Sequence, residues 1–242
     1  MASQIPSPAA EVQAPIKTIV FFGPSIAAPE VSELVAATHA PPVRRGDLAT
    51  LDDDYGVIVI LDGELGQNMS VSPKEILSAL GSGKTVIGAS SMGALRASEL
   101  DCCGMIGVGW VYDRFRKSAV RNDADVALVY SPLDFRPMTV PMVDLEYWME
   151  MASAAGLIAG RERAGLLKAA RRIFFADRTT DRLMEALHRA VGGDMLGALL
   201  AFSGGVIPSV KSIDAVAALR VAASTRPAAS SAIECRGRTD DR

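Results

Sequence analysis

Two nearly unbroken apolar runs, Val57–Leu61 (VIVIL) and Thr85–Ala89 (TVIGA), constrain this chain more than any other feature. Each is too short for a stable helix and too continuously apolar for a strand with one wet face, so both suit strands covered on two sides. A third run, Ile16–Phe22 (IKTIVFF), stops at Gly23-Pro24-Ser25. A helix from about Pro29 to Thr38 follows it, with Pro29 at its first position. Pro73–Leu80 (PKEILSAL), with proline at its start and Gly81 past its end, is a second helix between the other two runs. Strand, helix, strand, helix is the α/β pattern. The right-handed crossover rule makes the sheet parallel and puts functional loops at strand C-termini.

Met92–Leu100 (MGALRASEL) continues as helix, Gly104–Gly109 interrupts the pattern with three glycines, and Val126–Tyr130 (VALVY) reads as a further strand. From Met138 onward Ala, Leu, Met and Arg recur at helical spacing, which predicts helices near 139–155, 159–173, 179–191, 194–202 and 211–222. The predicted fold is therefore α/β, a parallel sheet flanked by helices with a C-terminal helical cap or subdomain. Its divisions are a mobile N-terminus at 1–15, an α/β core at 16–135, the helical part at 136–223 and a mobile tail at 224–242.

With 242 residues, 49% apolar and 22% charged, the chain is neither fibrous nor wholly disordered, and its net charge of −3 gives no general attraction to phosphate backbones. No nucleic-acid partner is expected. No run approaches the roughly 20 apolar residues that span a bilayer, and the N-terminus lacks a basic and apolar leader, so neither membrane nor secretion is expected. Cys102, Cys103 and Cys235 contain no C-x-x-C pair. Neither a disulfide framework nor a cysteine zinc site is expected from them, and a reducing cytoplasm fits. With two histidines and no H-E-x-x-H, no metal is expected.

Gly81-Ser82-Gly83-Lys84-Thr85 imitates the tail of a phosphate-binding loop, but Ser78 stands where its first glycine belongs, and the segment leaves a helix to enter a strand. A plain helix-to-strand turn is the better reading. Ala89-Ser90-Ser91-Met92-Gly93 has the opposite order, a strand ending in a small-x-Ser-x-small turn that opens a helix. That is the layout of a nucleophile elbow, with Ser91 as the central serine and the following amides, near Met92 and Gly93, turned toward a developing oxyanion. The competing reading has Ser90 or Ser91 simply capping the helix. His39 and His188 complete no triad, which leaves Lys74 as a candidate base, against its reading as a solvated helix lysine. Arg44 and Arg45 beside a turn suit a carboxylate or phosphate. Asp62 at a strand end, with Arg96 and Glu99 after the elbow, lies within reach of the same sheet edge.

Taken together, FFGPSI, PPVRRGDL, ILDGEL, KEILSAL, GASSMGALRASEL, GMIGVGWVYDRFR and DADVALVYSP strongly resemble the TfuA-like family, over about Ile16 to Pro132, with GASSMGALRA as the most specific part. The resemblance carries Gly23, Ser25, Arg44, Arg45, Asp62, Lys74, Glu75, Ser90, Ser91, Arg96 and Glu99 over as matching positions. The chain departs from the family pattern at Pro73, where histidine precedes the Lys-Glu pair, and at Tyr130, where histidine is common. TfuA-like proteins are associated with YcaO enzymes in forming backbone thioamides in ribosomally made peptides and in modifying a glycine of methyl-coenzyme M reductase. The resemblance implies a partner that engages a ubiquitin-like carrier bearing a C-terminal thiocarboxylate and releases its sulfur, while YcaO uses ATP to activate the peptide amide.

On that expectation Ser91 attacks the thioacyl carbon, Lys74 is the base, Arg44, Arg45 or Arg96 holds the negative charge, and no cofactor is required. The alternative is a non-catalytic allosteric or scaffolding partner of YcaO whose elbow binds an anion or peptide. The stretch Arg161–Arg189 holds eight Arg or Lys and four Asp or Glu, a local charge of +4. It reads as a solvated face, or as a surface for an acidic carrier.

Overall fold

The computed structural model describes residues 17–66, 68–118 and 122–225. The predicted mobile ends, 1–15 and 224–242, lie outside the described residues except for Ser224, which ends the last helix, and Thr225. Five parallel strands form one sheet: β1 (Lys17–Phe21), β2 (Thr38–Ala40), β3 (Tyr55–Ile60), β4 (Thr85–Gly88) and β5 (Ile106–Gly107), in the order β2-β1-β3-β4-β5. β1 and β3 run side by side from Ile19 opposite Ile58 to Phe21 opposite Ile60. The apolar runs alternate between two cores. Ile19, Phe21, Ile58, Ile60 and Val86 face one, while Val20, Phe22, Val57, Val59, Leu61 and Ile87 face the other. Burial on both faces is why these strands show no polar alternation.

Helices α1 (Ala28–Leu34), α2 (Pro73–Gly81), α3 (Met92–Leu100) and α4 (Trp110–Lys117) accompany the sheet. α2 begins as its sequence predicts. Ser72 caps it in a reciprocal box with Glu75, Pro73 fills the first turn, and Glu75 Oε2 also accepts from the Gly46 amide at 2.7 Å. Gly81–Thr85 is a helix-to-strand turn, where Lys84 Nζ donates to the Tyr55 carbonyl at 2.9 Å. α5 (Met142–Ala154), α6 (Gly160–Arg171), α7 (Thr180–Val191) and α8 (Gly193–Phe202) share a separate core built on Trp148, Leu145, Leu166, Leu187 and Leu199. α9 (Val210–Ser224) does not join them there. Its Ala215, Ala218, Leu219 and Ala222 pack on the sheet face that also receives Val31 of α1.

Three sequence readings change. The first helix ends at Leu34, so His39 lies on β2, its ring edge-on to Phe22 at 5.2 Å. Val126–Tyr130 is not a strand of the sheet. Val129 N–H donates to Thr139 Oγ1 at 2.8 Å and Tyr130 bridges Pro137, so its backbone bonds are spent in a local hairpin-like loop. Cys103, buried against α3, is disulfide-bonded, whereas Cys102 is a free thiol.

Sheet order explains where a ligand belongs. The chain leaves β1 for α1 on one face and β3 for α2 on the other, so the loops after β1 and β3 diverge and leave a crevice at their C-terminal ends.

Candidate functional site

Asp62, just past β3, sits in that crevice with 2% of its surface exposed. Its Oδ2 accepts from the amides of Gly23 at 2.9 Å and Ser25 at 3.0 Å, and its Oδ1 accepts from Ser25 Oγ at 2.7 Å. One carboxylate thereby sews the loop after β1 to the end of β3. A substituent on Gly23 would meet Pro42 Cγ at 2.7 Å, which fixes glycine there. Opposite Asp62 lies Lys211 of α9, with Nζ 3.6 Å from Oδ1 and 3.4 Å from the Val126 carbonyl. Both side chains of this ion pair are almost wholly enclosed. An ammonium at such depth is tolerated because a carboxylate and a carbonyl replace its water.

α9 is held at its start by Asp144 of α5, whose Oδ1 accepts from the amides of Val210 at 2.9 Å and Lys211 at 3.3 Å. Burial pushes the Asp144 carboxyl up to about 6. Asp214, one turn into α9, does the same for α4. It accepts from the amides of Trp110 and Val111, each at 2.8 Å, and burial pushes it to about 6 as well.

The turn after β4 is strained at Ser90, whose φ is +64°. Ser90 is fully buried and its Oγ donates to the Lys211 carbonyl at 2.7 Å. Its hydroxyl is committed to holding α9. Ser91 stands at the N-cap position of α3 with φ −133° and ψ −113°, and its side chain makes no capping hydrogen bond. Ser91 lines a cleft of about 140 Å³ together with Pro24, Asp62, Gly63, Tyr130 and Lys211. The close crossing of α3 over the sheet requires Gly93, where a Cβ would fall 1.7 Å from the Ile60 carbonyl oxygen. The amide of Gly63, which lines the cleft, and that of Met92, next to Ser91 at the first position of α3, have no acceptor among the described residues.

Tyr130 closes the outer side. Its hydroxyl donates to Glu64 Oε1 at 3.0 Å, and Arg44 reaches the same oxygen at 3.3 Å. Burial, then the Glu64 carboxylate, pushes the phenol up to about 12.

The crevice thus gathers Gly23, Ser25, Asp62, Ser90 and Ser91, with Arg44 reaching its rim through Glu64. The other predicted positions lie elsewhere. Lys74 is exposed on the first turn of α2 and lines no part of the cleft. Glu75 is occupied by the α2 cap and by Gly46. Arg96 donates to the Val71 carbonyl and to Glu99, both at 2.8 Å, which ties α3 to the loop before α2. The Met92 side chain fills the core. Sequence reasoning missed Lys211, Glu64 and the Gly63 amide. Lys211 had a readable signal, being a charge four residues before Ala215 on the stripe Ala215, Ala218, Leu219, Ala222 that enters the core. Among the described residues no group of three or more His, Cys, Asp and Glu is placed to hold a metal ion, and no helix is long and apolar enough to cross a membrane.

No curated protein matches the chain. A family model described as TfuA-like protein matches residues 62–179. The match opens at Asp62, includes Ser91 and Tyr130, and runs beyond Pro132 through α5 and α6, further into the helical part than the sequence motifs alone reached. Asp62, the serine turn and Tyr130 all lie inside that segment, so over residues 62–179 the chain is similar to the TfuA-like family.

Proposed function

We propose that this protein releases sulfide from the C-terminal thiocarboxylate of a ubiquitin-like carrier and supplies it to a partner YcaO enzyme. The observation that carries the reading is the uncommitted hydroxyl of Ser91 in a cleft it shares with the buried ammonium of Lys211. The substrate is an anion, and Lys211, fixed by Asp62, is the positive charge at hand. Ser91 Oγ attacks the carbonyl carbon, and the Met92 and Gly63 amides receive the developing oxyanion. The C–S bond breaks and the sulfur takes the hydroxyl proton, leaving as HS⁻ and an acyl-serine. Water then cleaves the ester, restoring the serine and giving the carrier carboxylate and one proton. No separate base is needed in the first half, so the exposed position of Lys74 is no obstacle.

Ser91→Ala is expected to cut sulfide release from thiocarboxylated carrier at least tenfold while the thermal unfolding profile is retained. Release at the wild-type rate would remove Ser91 from the chemistry. The same two amides and Lys211 would also bind an anion without reacting, which favours the scaffolding partner as a second reading. YcaO turnover measured on free sulfide, with and without carrier, separates the two. Stimulation that requires the carrier supports release of sulfur, and stimulation without it supports the scaffold.

A further inference from the structure

Beside the serine cleft lies a second and larger chamber of about 430 Å³, within the range of small-ligand sites. Its walls come from the segment Pro137–Pro141, Met184 of α7, Leu200 of α8 and Ile207 before α9. They are mostly apolar, interrupted by Thr139, Thr180, Ser209, Asp144 and Lys211. The polar exceptions that matter are Asp144, already bonded to the α9 amides, and Lys211. Pro24, Leu128 and Lys211 line both spaces, so the chamber and the cleft share a wall. Met138 and Val206, 53% and 64% exposed, line the chamber as well and open it to solvent. Large apolar side chains left bare around an apolar hollow mark a surface that expects an occupant.

We infer that this chamber receives a bulky apolar side chain of the same polypeptide tail whose C-terminal acyl group reaches Ser91. This rests on the proposed function for the direction of the tail, but not for its affinity. Three features select that occupant. The cleft, about one third the size of the chamber, admits only a slender terminus. A ligand with its anionic end at Lys211 has its next few atoms beside Pro24 and Leu128, the walls the two spaces share. The chamber offers an apolar side chain burial along most of its wall. The substrate class is therefore a tail that ends in small residues and carries a Leu-, Ile- or Met-sized residue a few positions before its terminus.

The test uses the full chain and two fluorescent hexapeptides ending in a plain carboxylate, so that no chemistry is required. They differ only in having Leu or Ser three positions before the end. Wild type is expected to bind the Leu peptide at least tenfold more tightly. Met184→Trp, which fills the chamber, and Val206→Arg, which charges its exposed rim without touching the core, should each reduce that preference to less than threefold. Equal affinity of wild type for the two peptides, or a preference that survives both variants, would overturn the inference. Sulfide release from the corresponding thiocarboxylates is measured in parallel. A retained Leu preference in binding with no release from either peptide would leave the chamber's assignment standing and remove the hydrolase reading instead.

Discussion

Lys211 is 2% exposed in a helix whose other inward residues are mostly alanine and leucine, and it is the one ammonium lining the serine cleft. A lysine that serves only as the counter-charge of Asp62 would, when replaced, cost stability without slowing the protein that remains folded, whereas one that holds a substrate anion would slow it. Lys211→Met is therefore expected to lower sulfide release by at least a factor of ten, while Lys74→Ala stays within twofold of wild type. Initial rates at saturating carrier check both. An unaffected Lys211→Met would reduce the Asp62 pair to a structural contact. The serine turn and Asp62 were legible because strand-end loops in a parallel sheet announce themselves by an apolar run followed by small or acidic residues. The inward charge of Lys211 could be read from its stripe but its pairing could not, because Asp62 is remote in sequence and only the stacking of α9 on the sheet brings them together.

At the scale of elements, the two buried aspartates of α5 and α9 each satisfy the first amides of another helix. Each is pushed to about 6 from a starting value of 3.8, so between those values the folded state holds protons that the unfolded chain has released. Their contribution is complete below the lower value and is lost as pH rises through the upper one. Lowering the pH from about 7 to about 5 should accordingly raise the unfolding free energy by about 1 kcal/mol for each carboxyl. Asp144→Asn with Asp214→Asn keeps the oxygen acceptors and should abolish that gain. Thermal melts at the two pH values decide it, and an equal gain in the double variant would place the titration elsewhere. α5, α8 and α9 were well predicted in extent, with apolar residues recurring along 10 to 15 positions, whereas α4 was not predicted at all. β2 and β5 were missed, being only three and two residues long. Val126–Tyr130 had the composition of a strand, but composition does not say whether a backbone finds its partner in a sheet or in a loop beside it.

For the whole molecule, sheet and helical part are clamped by a ring of charges. Arg114 of α4 binds Asp125 at 2.7 Å and Glu146 of α5, and Arg171 of α6 binds the same two carboxylates, Asp125 at 3.0 Å. The basic stretch is thus not uniformly a solvated face. Arg171 is partly exposed but committed to Asp125 and Glu146, and Arg178 is buried with donors to the Val140 and Ile173 carbonyls. Arg172 stays exposed. Arg171→Met should cost about 2 kcal/mol in urea unfolding, less than for a fully buried pair because the side chain is 44% exposed. Arg172→Glu should instead leave stability unchanged and slow association with an acidic carrier, an effect that fades as salt shortens the roughly 10 Å screening length found at 0.1 M. Stopped-flow association at two ionic strengths tests it, and identical rates would make Arg172 an ordinary surface residue. The Ser90 hydroxyl and the carbonyl it grips lie 121 positions apart. At typical translation speeds a ribosome needs on the order of ten seconds to cover that distance. During that interval a nascent chain carries its serine turn but lacks the charge beside it, and the sheet face destined for α9 is bare. The segment that covers the second core is thus the same one that brings the ammonium to the serine cleft.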